Sequence, residues 1–414
     1  MHGGGFGSGA GWLYDGSTLA QRNDVVVVTI NYRLGALGYL TSPALDAEQG
    51  NSGNYGFLDQ IAALKWVHRN ITAFGGDPSR VAISGQSAGG GSACAMLASP
   101  QAKGLFSSAI IQSGGDCLTA PKSTVAAGDQ ALAPAAGCTT GDAAAQLSCL
   151  RSKSAAEVLA ASNQARAARW QPVVGGNALP IEPLTAVKAG TWNRVPVLMG
   201  AARDEGRAGI GYLGVRYPAA EAVYQDRVRA FFGGSADKVL AEYPSSDYTD
   251  PSYALAAVLT DSGFQGGLGG CFALGVANLF AAAGTTYFYE LYDPNAPTLA
   301  VAPPPPGFQL GSEHSADLAY VFQNGFRQQA SPLSAAQTAL SNTIMRYWAN
   351  FAGSGDPNGE NTPQWPAHQA NGHNIVQLSP NNVSVMPDYR AEHRCGFWQS
   401  LGRPAVGLRP GPGR

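Results

Sequence analysis

The chain has 414 residues, 45% of them hydrophobic and only 13% charged, with a formal net charge of −2. That is ample material for a large buried core, and the near-neutral balance leaves no electrostatic footprint for nucleic acid or an anionic membrane. With 53 glycines and 27 prolines the composition points to a loop-rich enzyme rather than a disordered chain, because aromatic and β-branched residues remain plentiful.

The chain opens on His2-Gly3-Gly4-Gly5-Phe6-Gly7-Ser8-Gly9, a loop of functional character with no strand ahead of it, which suggests an N-terminal truncation. Asp24-Val25-Val26-Val27-Val28-Thr29-Ile30 is a β-branched run, expected to be a strand buried on both faces of a parallel sheet. Leu58, Ile61, Leu64, Val67 and Ile71 recur at helical spacing, and Gly75-Gly76-Asp77-Pro78 ends that helix. A short strand at Arg80-Val81-Ala82-Ile83-Ser84 runs into Gly85-Gln86-Ser87-Ala88-Gly89-Gly90, after which small residues as far as Leu97 predict a closely packed helix. Ser108 to Gln112 reads as another strand.

This alternation predicts an α/β fold, with a mostly parallel central sheet and helices on both faces. Later strands are expected at Val195 to Gly200 and Thr285 to Tyr292. Between them, Ala-rich helical insertions around 120–190 and 207–265 would form the walls of a cleft. Cys271 to Ala283, interrupted by Gly275, reads as a core helix, and no apolar run reaches the roughly 18 residues of a membrane span. Ala302 to Gly307 is a stiff proline segment on the surface. Ser334 to Phe351 predicts an amphipathic helix with Leu340, Ile344, Tyr347, Trp348 and Phe351 inward, stopping at Gly353.

The sharpest chemical signal is Gly85-Gln86-Ser87-Ala88-Gly89, a G-x-S-x-G element set between a strand and a helix. Small neighbours permit the tight turn that presents the Ser87 hydroxyl, and the helix N-terminus favours developing negative charge. The opening glycines supply a second element. Acyl transfer creates an oxyanion, best stabilised by N–H groups fixed in advance, so the hole is assigned to Gly4, Gly5 and Ala88. The alternatives are a small-residue turn that lets helix and sheet pack closely for the first element, and a flexible glycine loop near a terminus for the second.

Of the six histidines, His2 belongs to the glycine loop, His68 precedes the serine on a helix, His368 and His373 lie in a late polar loop, and His393 sits beside Cys395. His314, in Gly311-Ser312-Glu313-His314-Ser315-Ala316-Asp317, is the best-placed base. The acid that holds it is expected between serine and histidine in sequence. Asp204 and Glu205 follow a strand, where ligands collect in open α/β sheets, and Asp293 follows another. Spacing alone leaves all three open. The six cysteines, Cys94, Cys117, Cys138, Cys149, Cys271 and Cys395, lack zinc spacing, and their even number fits disulfides in an oxidising compartment.

These motifs, together with NYRLGALGYL, GNYGFLDQIAALKWVHRNITAFGGDPSRVAISGQSAGG, AIIQSG, CLR, PVLMGAARDEG, EHSADLAYVF, YWANFAGSGDPN and HRCGFW, resemble the type-B carboxylesterases, the family that also contains cholinesterases. The resemblance implies an α/β-hydrolase fold and a single catalytic domain over 1–414 lacking the family's N-terminal strands. It implies a triad of Ser87, Glu205 and His314, with Ser113 hydrogen-bonding near the histidine. It also implies disulfides Cys138–Cys149 and Cys271–Cys395, leaving Cys94 and Cys117 free or joined in a further bridge.

Two departures stand out. Gln86 occupies a position where many relatives carry glutamate, which removes a negative charge near the cleft and any special preference for cationic, choline-like substrates. The absent N-terminal strands would leave backbone groups exposed on a strand edge, inviting aggregation or partial unfolding. The expected activity is hydrolysis of a small-molecule carboxylic ester through an acyl-enzyme, without metal or cofactor, in a secreted or periplasmic protein. A non-catalytic binding module of the same fold, or a fragment inactive through truncation, is the rival expectation.

Overall fold

The computed structural model describes residues 1–165, 169–263, 267–297, 304–323, 325–327 and 331–402. The proline segment at 302–307 therefore lies partly outside the described residues. The main sheet has six strands in spatial order β1 (Ala82–Gln86), β2 (Ser108–Gln112), β3 (Val197–Ala202), β4 (Thr286–Leu291), β5 (Ile375–Ser379) and β6 (Asn382–Val385). All neighbours run parallel except β5 and β6, which pair as an antiparallel hairpin. This is the α/β-hydrolase architecture.

Strands β2, β3 and β4 are buried at every position, as expected for strands covered on both faces. Successive residues serve opposite faces. Ala109 and Ile111 join one apolar cluster with the helices α2 (Ala88–Met96), α3 (Pro251–Ser262) and α4 (Gly270–Ala283). Ile110 joins the other, with Leu340, Ile344, Tyr347, Trp348 and Phe351 of α6 (Ala335–Ser354). Period-two alternation in the strands thus meets period-3.6 stripes in the helices. Fully burying a side chain such as Phe351 contributes about 1.5–3 kcal/mol.

Helix α6 begins with a capping box, Ser334 accepting from the Gln337 N–H and Gln337 accepting from the Ser334 N–H. It runs past the expected stop at Gly353 and ends at Gly355, whose φ of 76° is the left-handed geometry that closes a helix. Helix α1 (Tyr55–Asn70) carries the predicted stripe. The hairpin β5–β6 was not expected, although Ser379-Pro380-Asn381-Asn382 between two β-branched stretches is a usable turn signal.

Asp24 to Ile30 is the clearest correction. The segment is extended in character but is not a strand, and it is not buried on both faces: Val26 is 45% and Val28 40% exposed. A strand is defined by pairing, and among the described residues no hydrogen bond involves the backbone of Val25 to Ile30. β1 is the nearest sheet edge, and a cavity of about 580 Å³ separates the two. β-Branched composition favours the extended form but cannot supply the partner.

Candidate active site

Ser87 sits between β1 and α2 with φ 56° and ψ −125°, a conformation a non-glycine residue holds at a cost of about 1–3 kcal/mol. The surroundings over-determine it. Its N–H donates to the Gln112 carbonyl at 2.9 Å, and its carbonyl accepts from Gly91 at 2.8 Å. A Cβ at Gly85 would lie 2.2 Å from the Gly89 backbone, and one at Gly89 2.1 Å from the Met1 oxygen. The glycines of the elbow are therefore a packing requirement, and a side chain at either position would push the turn apart.

His314 lies in the loop before α5 (Asp317–Val321). Its Nε2 accepts the Ser87 hydroxyl at 2.8 Å, and its Nδ1 donates to Glu205 Oε2 at 2.5 Å. Glu205 stands just beyond β3, only 2% exposed. Its Oε1 accepts from the Ala202 N–H at 2.9 Å and from the Ser113 hydroxyl at 2.5 Å. Ser113 thus reaches the carboxylate that faces His314 rather than the ring itself.

The other two carboxylates lie elsewhere. Asp204 pairs with Arg207 at 3.0 Å and accepts from the Ser312 N–H, so it braces the histidine loop from behind. Asp293 accepts from the Tyr320 hydroxyl and the Gln337 amide, tying α5 to α6.

The glycine loop lies against the elbow. A Cβ on Gly3 would come 3.0 Å from the Gln86 oxygen and 3.1 Å from Ser87 Cβ. Gly4 and Gly5 take φ of 106° and 60°, values that suit glycine. Among the described residues the N–H groups of Gly4, Gly5 and Ala88 have no hydrogen-bond partner, so they are available to a ligand. Gln86 is buried and its amide donates to the His314 carbonyl at 2.7 Å. Its side chain therefore anchors the histidine loop, a contact that a carboxylate could not make.

The other histidines make different contacts. His2 stacks on Tyr32 at 4.3 Å and its Nδ1 contacts the Gly3 oxygen. His368 meets Asn278, and His68 and His373 are exposed. His393 is buried between Asp261 (2.6 Å) and Glu290 (2.5 Å).

Burial and charge shift the protons of the site. Desolvation alone would lower the His314 imidazole, but Glu205, with Glu313 and Asp317 behind it, holds it above its usual range. Burial pushes Glu313 up to about 7 and Asp317 up to about 6. Asp317 accepts from Gln112 Nε2 (2.7 Å) and the Tyr289 hydroxyl (2.9 Å), and so joins the histidine helix to the strand beside the elbow. Neither carboxyl was singled out from sequence, though both flank His314 within three positions. No group of three His, Cys, Asp or Glu side chains among the described residues is placed to hold a metal ion.

Three disulfides join Cys94 to Cys117, Cys138 to Cys149 and Cys271 to Cys395. The first ties α2, the helix that starts at the elbow, to the segment that follows Ser113. No helix among the described residues is long and apolar enough to cross a membrane.

Comparison with known proteins places the chain in a wider group. Residues 1–398 match the carboxylesterase family. The chain is 33% identical to acylcarnitine hydrolase of Mus musculus over 88% of its own length, but spans only 65% of that protein, less than two-thirds. It is 34% identical to para-nitrobenzyl esterase of Bacillus subtilis, covering 97% of this chain and 79% of that one. The solved structure of a thermophilic PNB esterase superimposes with a TM-score of 0.75 at 31% identity, over 96% of this chain and 79% of that one. The chain belongs to the carboxylesterase family.

Proposed function

We propose that residues 1–414 form one catalytic unit that hydrolyses small-molecule carboxylic esters through an acyl-enzyme on Ser87. The observation that carries this reading is the continuous line Ser87 Oγ, His314 Nε2, His314 Nδ1, Glu205 Oε2, with spacings of 2.8 Å and 2.5 Å at its two hydrogen bonds. A hydroxyl in that setting is a nucleophile with a base in contact and the base held in the right tautomer.

As Ser87 Oγ attacks the ester carbonyl, its proton passes to His314 Nε2, and Glu205 stabilises the imidazolium. The carbonyl oxygen gathers negative charge in front of the free N–H groups of Gly4, Gly5 and Ala88, which stabilise it without reorganising. The C–O bond to the alcohol breaks, and His314 returns its proton to the leaving oxygen. Water then attacks the acyl-enzyme with His314 again as base, which releases the acid and restores Ser87. Ser113 fixes the carboxylate and Gln86 fixes the histidine loop. No metal or cofactor enters this scheme. The names of relatives, acylcarnitine hydrolase and para-nitrobenzyl esterase, support esters as the substrate class without choosing among them. The three disulfides favour an oxidising compartment, hence a secreted or periplasmic protein.

The test is labelling with a fluorophosphonate probe beside hydrolysis of a p-nitrophenyl ester. The wild-type chain labels at Ser87. Ser87→Ala abolishes labelling and lowers turnover by about 10⁶-fold while circular dichroism stays native. Substantial activity in the folded variant would remove Ser87 from the chemistry.

A further inference from the structure

The Cys94–Cys117 disulfide is buried at both ends, with Cys94 1% and Cys117 0% exposed. Cys94 lies on α2, about two turns beyond Ser87, and Cys117 lies in the segment Ser113 to Leu118 that follows β2. That segment bends in an unusual way. Ser113, Gly115, Cys117 and Leu118 take φ of 47°, 56°, 65° and 46°, and three of the four are not glycine. Each such residue is costly in the free chain, so the bend persists only where its surroundings hold it.

Its supports can be followed along the chain. At one end the Ser113 N–H donates to the Gly200 carbonyl at 2.8 Å. Beyond the other end the Ala120 N–H donates to the Pro172 carbonyl at 3.1 Å. Between them the segment lies along one face of α2, where Gly90, Gly91 and Cys94 follow at helical spacing. A Cβ at Gly90 would stand 3.0 Å from Gly114 Cα, and one at Gly91 2.8 Å from Leu118 Cβ. The two glycines let the segment approach but offer no side chain to grip it. The disulfide supplies the grip, with Cα atoms 4.9 Å apart.

The crosslink closes a circuit behind the site. Ser87 leads into α2, α2 carries Cys94, and Cys94 holds Cys117. The segment then returns to Ser113, whose hydroxyl donates to Glu205 Oε1 at 2.5 Å. Glu205 Oε2 faces His314 Nδ1, and His314 Nε2 comes back to Ser87. Cys138–Cys149, by contrast, spans 11 residues and enters none of these contacts.

We propose that the Cys94–Cys117 disulfide is a positioning crosslink for the esterase reaction, a role that rests on the acyl-enzyme reading above. It holds Ser113 to Leu118 on α2, and so keeps the Ser113 hydroxyl on the Glu205 carboxylate that aims His314 at Ser87. Without the bond the segment relaxes towards ordinary φ values and Ser113 withdraws. Glu205 Oε1 then keeps only the Ala202 N–H. The other carboxyl groups facing the imidazole, Glu313 and Asp317, lie on the histidine's own segment and stay in place.

The test compares Cys94→Ala/Cys117→Ala with Cys138→Ala/Cys149→Ala on a p-nitrophenyl ester, well below both melting midpoints. Loss of the first bridge should lower kcat about tenfold while KM stays within about twofold. The ascending pH limb should also move to lower pH, because Glu205 supports the imidazolium less. Loss of the second bridge should leave kcat within about twofold. Ser113→Ala should cost about tenfold in the wild-type chain but less than about twofold once the first bridge is gone, since crosslink and hydroxyl act in series. Cys94→Ser, close in volume, takes the place of the alanine pair if that pair does not fold. Equal losses from the two bridges, a change in KM alone, or full additivity with Ser113→Ala overturns the proposal. A substrate-free readout separates it from the esterase reading. The low-field NMR signal of the His314 Nδ1 proton should shift or broaden without the first bridge and stay unchanged without the second. A signal unmoved in both overturns the crosslink's role whether or not the chain turns over ester. A moved signal in a wild-type chain without turnover supports the crosslink and sinks the esterase reading alone.

Discussion

The two halves of the proposed catalytic site rest on supports of different kinds. Glu205 follows β3, which has a partner strand on each side, and His314 is held by Glu205, Gln86 and the α5 anchor at Asp317. Gly4 and Gly5 hang from a loop whose nearest ladder contact is the bond from Met1 to Ser84, at the open end of the sheet. The acid–base half is braced from several directions, while the oxyanion half depends on close packing against the elbow and on Tyr32 and Tyr14, which bond His2 and Gly3. Preorganisation is a property of the support as much as of the residues that touch substrate.

The largest expected effect falls on the braced half. Glu205→Gln should lower kcat by about 10⁴-fold, as loss of the orienting carboxylate does in such triads, while Asp204→Asn should cost far less. The pH profile carries a second signature. In the proposed scheme catalysis needs neutral His314, whose pKa the carboxylates raise, so activity should climb as pH rises through that value. Neutralising Glu205 should move this limb to lower pH. Equal losses in the two variants, or an unmoved limb, would pass the role to Asp204.

Next in size is the charge cluster behind the closed side of the sheet. Desolvation opposes the charge on His393, but Asp261 and Glu290 overcome it and push the imidazole up to about 10. A folded-state value raised above the ordinary His value means stability that is fully present below about pH 6.5 and lost as pH climbs towards 10. His393→Leu leaves two buried carboxylates without their partner and should destabilise by about 3–5 kcal/mol. Urea midpoints at pH 6 and pH 9.5 check both points, since the difference between variant and wild type should shrink at the higher pH. A pH-independent difference would make the histidine a packing residue only.

The smallest effect is expected at the open edge. Val26→Thr should change the unfolding free energy from urea titration by less than about 0.5 kcal/mol, because an unpaired, half-exposed side chain contributes little. A loss near the ~1.5–3 kcal/mol of a buried valine would show that Val25 to Ile30 is a packed strand after all, and would erase the contrast between the two ends.

Much of this fold was legible in one dimension because its signals are local. The strand–turn–helix around Ser87 declares itself through Gly85, Gly89 and Gly90, which the close approach of backbone requires. β2 appeared with its observed bounds because a short run with an apolar centre, Ala109-Ile110-Ile111, has few other uses, and α1 and α6 through their stripes. The hairpin at Ile375 to Val385 was missed because its outer strand is exposed and carries only a weak alternating pattern.

What the sequence alone determined is the set of candidate residues for acyl chemistry and their order along the chain. The tertiary structure decided which of them meet. Asp204, Glu205 and Asp293 are equivalent by spacing, and only the path of the chain beyond β3 and β4 points Glu205 at His314 and turns the others towards Arg207 and Tyr320. Pairing of Cys94 with Cys117 likewise needed α2 and the segment after Ser113 to be brought together. Asp24 to Ile30 shows the same rule in reverse: propensity is written in the residue, but a strand exists only where a second backbone lies within hydrogen-bond reach.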